Sequence, residues 1–247
     1  MMHGKINQFK CLALSLSILL GSAALDQAWA VLILVGPEDF QGTGLGAVNT
    51  ILTILDNDGT EMGCVGRSTA AGGCPGGVLN STPSDTGRII GGSLGGNEQT
   101  GDSQTRTRTV SDLGLTTASN LRVVFNALEP GAAAQMGITL EDLILTIYNA
   151  DNTIQFTSSS LAAPINFADT FTGAGNSGFV FALNPAQALA AGALDPTDRI
   201  GLSASVSNAE GGLETFFVAP IPEPGTLLLM GSGLVGIGIG ARRRNRK

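Results

Sequence analysis

Residues 140–158 read LEDLILTIY, then NADN, then TIQFTS. The first nine residues, Leu140 to Tyr148, are rich in Leu, Ile and Thr, and Thr153 to Ser158 has a similar composition, which favours β-strands. The four residues between them, Asn149-Ala150-Asp151-Asn152, are of the types that form turns. This stretch therefore predicts two antiparallel strands that are joined as a hairpin.

Six further segments show the same strand pattern, and most are bounded by Gly, Asn, Asp or Pro. They are Ala47 to Leu55, Gln104 to Val110, Leu121 to Leu128, Gly178 to Leu183, Arg199 to Val206 and Leu213 to Val218. Asn208 to Gly212 predicts a hairpin between the last two. Because side chains alternate along a strand, Gln104 to Val110 places Arg106 and Arg108 on one face.

The chain has one good helix candidate, Pro185 to Ala191, with Pro185 in its first turn and Gly192 as its stop. The sum of these elements predicts an all-β fold. We expect an antiparallel β-sandwich of roughly seven to nine strands with one short helix. A β-solenoid is disfavoured because no repeat of suitable period is present.

Residues 66–104 form a stretch rich in Gly, Ser, Thr, Asn and Pro, in which apolar residues are sparse. This Gly/Ser-rich composition predicts a long loop or an irregular insertion, with one short strand at Arg88 to Ile90. A long loop without regular structure in a compact domain is either functional or mobile, and the composition favours a mobile one.

The C-terminal residues 222–247 combine three parts in a fixed order. Pro222, Glu223 and Pro224 form a stiff polar element, because proline restricts the backbone. Thr226 to Ala241 is an uncharged apolar run of 16 residues, slightly shorter than the roughly 20 that span a bilayer in a straight helix. Five basic residues follow: Arg242, Arg243, Arg244, Arg246 and Lys247. A transmembrane helix over 226–241 with a cytoplasmic basic stop at 242–247 explains this order.

The Pro-Glu-Pro element, the Gly-rich apolar segment and the terminal arginine cluster together resemble the PEP-CTERM sorting signal of Gram-negative bacteria. The resemblance implies that an exosortase, a membrane transpeptidase, recognises Pro222, Glu223 and Pro224. It further implies export through the inner membrane, a transient membrane anchor, and delivery to the cell surface or the extracellular space. Organisms with such signals often produce exopolysaccharide. The resemblance implies no ligand for the rest of the chain.

Residues 1–30 have the pattern of a secretory signal peptide. Lys5 and Lys10 precede an apolar core, Cys11 to Leu25, and Ala28-Trp29-Ala30 forms a cleavage site of the A-x-A type. We expect Ala28 and Ala30 to direct cleavage and the Sec machinery to translocate the chain. The signal at one end and the sorting segment at the other both predict export, which leaves residues 31–221 as the exported domain.

The exported domain is strongly acidic. Residues 31–221 contain 18 Asp and Glu against six Arg, and they contain neither Lys nor His. Phosphate contacts need clusters of Lys and Arg, so nucleic acid is disfavoured as a partner. Cys64 and Cys74 are the two cysteines that remain outside the signal, and in an exported protein they predict one disulfide.

The residue types exclude most catalytic chemistry. Without His or Lys in residues 31–221, Ser-His-Asp, Cys-His and Schiff-base sites cannot form. Carboxylate chemistry remains, with Glu129, Glu141 and Asp142 as candidates, but Glu141 and Asp142 are adjacent and would point to opposite faces of a strand. We expect no enzyme activity, no catalytic residues and no cofactor.

A calcium site is an open alternative at Asp56-Asn57-Asp58-Gly59. Asp56 and Asp58 resemble the opening of a calcium loop, although the later positions of that pattern carry the wrong residues and a hairpin-type turn is favoured. Asp195 to Asp198 has the same ambiguity.

Two functions from different classes fit this sequence. One is a structural or adhesive protein of the extracellular matrix, associated with exopolysaccharide or biofilm. The other is a surface module that binds calcium or carbohydrate. A third interpretation leaves the C-terminal segment uncleaved, so that the chain stays anchored in the inner membrane and faces the periplasm.

Overall fold

The computed structural model describes residues 31–38, 48–56, 59–127, 137–167, 178–209 and 212–220. Within them lie thirteen strands and one α-helix. The strands are β1 Ile33–Glu38, β2 Thr50–Ile54, β3 Gly59–Gly66, β4 Val78–Leu79, β5 Ile89–Ile90, β6 Arg108–Thr109, β7 Leu121–Asn126, β8 Ile138–Tyr148, β9 Ile154–Thr157, β10 Ile165–Phe167, β11 Gly178–Ala182, β12 Arg199–Ala209 and β13 Glu214–Pro220. The helix α1 is Pro185–Ala191, and two single 3-10 turns lie at Gly92–Leu94 and Ala118–Asn120.

The strands form two antiparallel sheets. The first has five strands in the order β1-β11-β7-β13-β2. The second has the order β10-β8-β12-β3-β5-β4, with β6 added to β12 and β9 added to β8. Buried apolar residues of both sheets form one contiguous cluster. The described chain is therefore mostly β, with antiparallel sheets and one short helix, as the sequence pattern predicts.

Phenylalanine dominates one region of this core. Phe125 of β7 stacks on Phe216 of β13, with ring centroids 4.7 Å apart. Phe167 of β10 meets the edge of the Phe125 ring from the other sheet at 5.8 Å. The Phe125–Phe167 pair joins the two layers, because β7 and β10 lie in different sheets and both side chains point into the shared core.

The hairpin predicted at residues 149–152 is confirmed. Strands β8 and β9 pair antiparallel, with Thr146 opposite Thr157. Asn152 takes the left-handed conformation with φ 69°, and its backbone N–H donates to the carbonyl of Asn149 at 2.9 Å. Asparagine tolerates this conformation better than most residues, which explains its place in the turn.

The second predicted hairpin is wrong. Strand β12 lies in the eight-stranded sheet and β13 in the five-stranded sheet, so the chain between them crosses from one layer to the other. The turn after Asp56 behaves in the same way, since β2 and β3 also lie in different sheets. The expectation of a hairpin-type turn there is therefore also wrong. Local turn residues signal a reversal of the chain but do not specify which strand is the partner.

The strand count exceeds the expected seven to nine because short strands give little periodicity. Strands β1, β3, β4 and β10 have no counterpart among the predicted strands. Strand β3 alternates poorly, with Gly59, Gly63 and Gly66 among its eight residues. Its central position comes from pairing with β12, where Ser203 lies opposite Cys64.

Residues 66–104 form the irregular insertion that their composition predicts, and the short strand predicted at Arg88 to Ile90 is confirmed as β5. They contain β4 and β5, and β5 pairs with the end of β3. Asn97 and Glu98 lie between the edges of the two sheets. The Asn97 carbonyl accepts the Leu55 N–H at 3.0 Å, while the Asn97 side chain accepts the Met62 N–H at 2.9 Å. The insertion therefore covers two strand edges that would otherwise be open to pairing.

The predicted strand Gln104 to Val110 is also corrected. Only Arg108–Thr109 is a regular strand, and it pairs with β12. The preceding residues run beside β2, where the Arg106 N–H donates to the Ile51 carbonyl at 2.9 Å. The alternation itself is confirmed, because Arg106 and Arg108 line the same cleft.

Helix α1 has the bounds that the sequence predicts. Asn184 and Gln187 form a capping box, in which each side chain accepts the other residue's backbone N–H, at 2.8 and 2.6 Å. The Gln187 side chain also donates to the carbonyl of Val31 at 2.8 Å. This bond links the helix to the start of the described chain.

No helix in the described parts of the chain is both long enough and apolar enough to cross a bilayer. The predicted signal peptide, residues 1–30, and the predicted transmembrane helix, residues 226–241, both lie outside the described residues.

Candidate functional site

The residues that the sequence assigns to sorting and cleavage lie outside the described residues. These are Pro222, Glu223 and Pro224 of the sorting element, Arg242, Arg243, Arg244, Arg246 and Lys247 of the basic stop, and Ala28 and Ala30 of the signal. Their roles stay predictions from sequence. The last described residue, Pro220, ends strand β13, so the sorting element follows this strand after one residue.

The predicted disulfide is present. Cys64 of β3 and Cys74 are bonded, with their Cα atoms 5.8 Å apart, a normal separation for a disulfide. Both side chains are fully buried. The bond fixes the first part of the insertion against the eight-stranded sheet.

The candidate calcium loop is only partly described, because Asp58 lies outside the described residues. The Asp56 carboxylate accepts a hydrogen bond from the Asn97 amide. The Asp56 backbone N–H donates to the buried Glu61 carboxylate at 2.8 Å. Within the described residues, no three His, Cys, Asp or Glu side chains are grouped so as to hold a metal ion. Calcium binding at Asp56 and Asp58 stays a prediction.

A buried carboxylate organises the insertion. Asp85 is fully buried and pairs with two arginines, Arg67 at 2.8 Å and Arg199 at 3.1 Å. It also accepts the Thr107 backbone N–H at 2.6 Å and the Thr107 hydroxyl at 2.8 Å. Because Arg199 begins β12 and Thr107 precedes β6, this single carboxylate ties the insertion to the eight-stranded sheet. The ion pairs balance the cost of burying the charge.

Arg88 is fully buried without an ion pair among the described residues. Its guanidinium donates instead to oxygen atoms of the surrounding chain. The acceptors are the carbonyl and the side-chain oxygen of Asn80, at 2.7 and 2.8 Å, and the carbonyl of Thr105. Desolvation by burial lowers the pKa of Arg88, while Asp85 and Asp102 oppose that effect.

The chain's single tyrosine, Tyr148, is buried at the end of β8. Three glycines, Gly66, Gly73 and Gly201, lie against its ring and hydroxyl, and a Cβ added at Gly66 would overlap the hydroxyl. Burial raises the pKa of Tyr148 to about 12, and hydrogen bonds and the nearby Arg67 charge oppose that shift.

The clearest ligand-sized feature is a cleft of about 560 Å³ on the five-stranded sheet, which we call the arginine cleft. Its walls include Arg106, Arg108, Asp102, Asn49 and the β13 residues Phe217 to Pro220. The Arg108 Nε donates to the Thr50 carbonyl at 3.0 Å. The Arg106 Nε is buried and has no hydrogen-bond partner.

The candidate catalytic carboxylates do not form a site with one another. Glu141 accepts from the Ser207 hydroxyl at 2.5 Å, and Asp142 accepts from the Leu161 N–H at 2.9 Å. They therefore bond different elements, and Glu129 lies outside the described residues.

The sequence gives only a weak signal of the buried polar network around Asp85 and Arg88. Asp85 and Arg88 are isolated charges in a segment of small polar residues. Isolated charges of opposite sign in such a segment fit an internal ion pair as well as they fit a solvated loop. The internal ion pair can be distinguished from the solvated loop only by the partners of Asp85. These partners are distant from it in sequence: Arg67, Thr107 and Arg199.

Comparison with family models identifies a sorting motif in this chain. The model of the PEP-CTERM protein-sorting motif matches residues 220–244. Comparison with curated proteins and with solved structures gives no match. The matched motif implies export and processing by an exosortase at the membrane. The chain therefore carries a PEP-CTERM protein-sorting motif over 25 of its 247 residues, and this motif begins at the last residue of β13.

Proposed function

We propose that this chain is a surface or extracellular-matrix protein that an exosortase releases from the inner membrane at its Pro-Glu-Pro element. Its β-sheet domain is structural or adhesive, has no catalytic activity, and associates with exopolysaccharide or biofilm. The observation that carries this proposal is the sorting motif at 220–244, which begins where the last strand ends.

The domain itself supports a role outside the cell. It has one buried disulfide, which forms in oxidising compartments. Its excess of acidic residues keeps a protein soluble at high local concentration. The insertion covers two strand edges, which limits unwanted strand pairing.

The test is the intact mass of the protein isolated from its native host. We expect loss of the signal after Ala30, loss of the chain beyond the Pro-Glu-Pro element, and the mass of one disulfide. In a strain without the exosortase, the C-terminal segment stays attached and the protein stays in the membrane fraction.

Two variants sharpen the test. Glu223→Gln removes the only charge in the Pro-Glu-Pro element, and we expect the unprocessed form to accumulate. Glu210→Gln makes the same chemical change outside the matched motif, and we expect normal processing. A wild-type chain that keeps residues 226–247 and stays in the inner membrane would instead support the uncleaved, membrane-anchored alternative.

A surface module that binds calcium or carbohydrate is the second candidate, and the arginine cleft is the observation that favours its carbohydrate form. Thermal unfolding with calcium and with chelator tests the calcium form. A rise in Tm with calcium would support binding at Asp56 and Asp58, provided that Asp56→Asn removes the rise. Equal Tm values would argue against it.

A further inference from the structure

The arginine cleft exists because β2 is shorter than its neighbour β13. Strand β2 begins at Thr50, which lies opposite Phe217. Beyond that point, from Val218 to Pro220, β13 pairs with β7 alone among the described strands. The gap of one strand is bordered on its far side by the segment that carries Arg106 and Arg108.

Arg106 differs from the other arginines of the exported domain. Arg67 and Arg199 pair with Asp85, and Arg88, Arg108 and Arg122 donate to carbonyl oxygens. Among the described residues, the Arg106 side chain has neither an ion pair nor a hydrogen bond, and its Nε is buried in the cleft wall. A buried donor without an acceptor costs free energy that a bound acceptor recovers.

The chemistry of the cleft selects an organic anion of low charge density. Guanidinium groups bind carboxylates through two parallel hydrogen bonds, and Arg106 and Arg108 bring two such groups to one cleft. The surrounding domain is strongly acidic, so a dense polyanion such as nucleic acid is repelled. A polyuronate has one carboxylate on each sugar ring, a lower charge density than the one charge per about 1.7 Å of double-stranded DNA, and so meets less repulsion.

The remaining walls suit a sugar ring. Val48, Ala219 and Pro220 provide apolar surface, while the Ser103 hydroxyl and the Asn49 side chain provide polar groups for ring hydroxyls. Asp102 also lies on the cleft but is not within ion-pair distance of Arg106. Its carboxylate repels an anionic ligand and so lowers the affinity without blocking the site.

We propose that the arginine cleft binds a uronic-acid unit of an acidic polysaccharide, with Arg106 holding the carboxylate and Arg108 assisting. The identity of the ligand rests on the proposed association with exopolysaccharide. The site itself rests on the gap beside β13 and on the unpartnered Arg106.

The test is calorimetric titration of the full chain, kept in a polyoxyethylene detergent, with trigalacturonate. Maltotriose serves as a neutral ligand of equal length. We expect binding of trigalacturonate, no binding of maltotriose, and a loss of affinity of about tenfold or more in Arg106→Gln, as is typical when a charged hydrogen-bond partner is removed. Asp102→Asn should raise the affinity.

Arg122→Gln is the matched control, because Arg122 lies on the same sheet but outside the cleft lining. It removes the same charge and should leave the affinity unchanged. If Arg106→Gln and Arg122→Gln lower the affinity for trigalacturonate equally, the binding reflects general charge attraction, and the proposed site is overturned. Absence of trigalacturonate binding would overturn it as well, as would binding of an acidic peptide in place of the saccharide.

The proposed function fails in a different way. If the Arg106→Gln protein is processed normally and still associates with the native matrix, the proposed function stands and the cleft assignment falls. If trigalacturonate binds through Arg106 while the protein is found outside any matrix, the cleft assignment stands and the matrix role falls.

Discussion

Asp85 shows how one residue holds an irregular segment in place. Its carboxylate is fully buried and bonds two arginines and one threonine from separate parts of the chain. Removing the charge leaves Arg67 and Arg199 without their counter-ion. Asp85 is therefore important for stability because its loss would leave two partly buried arginine charges unpaired.

We therefore expect Asp85→Asn to lower the free energy of unfolding by about 3 to 5 kcal/mol, the usual cost of breaking a buried ion pair from one side. Urea unfolding followed by circular dichroism measures the change. Asp102→Asn is the control at an exposed aspartate in the same insertion, and it should change stability by less than about 0.5 kcal/mol. Similar effects of the two variants would contradict the role given to Asp85.

Tyr148 gives the fold a pH dependence at alkaline pH. Burial raises its pKa from 10.0 to about 12. Below pH 10 the phenol is protonated in both the folded and the unfolded chain, so this group does not lower the free energy of unfolding. Between pH 10 and pH 12 the unfolded chain loses this proton first, which favours unfolding. Above pH 12 the free energy of unfolding is lower by about 2 to 3 kcal/mol than below pH 10.

Absorbance at 295 nm measures this titration directly, since the chain contains one tyrosine. The folded protein should titrate near pH 12 and the urea-unfolded protein near pH 10. The Tyr148→Phe variant should lose the absorbance change and should keep its stability between pH 10 and pH 11. A folded-state midpoint at the unfolded value would show that the ring is accessible to water.

At the scale of elements, the disulfide fastens the insertion to β3. Because it closes a loop of ten residues and so restricts the unfolded chain, we expect Cys64→Ala combined with Cys74→Ala to cost about 2 to 3 kcal/mol. Urea unfolding measures this cost. Reductant without denaturant should leave the bond intact, because both cysteines are fully buried. Rapid reduction of the native protein would contradict this placement.

Helix α1 depends on its first turn, because its seven residues are too few for a stable isolated helix. Asn184→Ala removes the side-chain cap, and we expect a loss of about 1 kcal/mol. Leu189→Gln alters an exposed position on the same helix, 82% accessible, and should be close to neutral. Thermal unfolding of both variants measures the difference. An equal effect would mean that the capping box contributes little.

At the scale of the whole molecule, both sheets share one core. A shared core predicts that they unfold together. In the processed chain, Tyr148 fluorescence reports the eight-stranded sheet and far-ultraviolet circular dichroism reports both sheets. We expect the two urea transitions to coincide. Separate midpoints would show that the sheets unfold independently.

Local pattern is enough to predict elements but not their partners. Strands β7, β8, β9 and β11, together with helix α1, are predicted close to their true bounds because each has its own composition and its own stop residues. Strands β3 and β10 are missed, since three glycines interrupt one and the other has three residues. Asp56 and Asn208 lie near strand ends, as predicted, but the strand that follows each of them lies in the other sheet.

The sequence alone determined the sorting motif, the β class and the disulfide, because each depends on residue types close together in the chain or on a single possible pairing. The tertiary structure decided which strands share a sheet, how the insertion is anchored through Asp85, and where Arg106 and Arg108 open into a cleft. The physical reason is distance along the chain. Arg67, Asp85, Thr107 and Arg199 meet only after both sheets have formed, and no local pattern records that meeting.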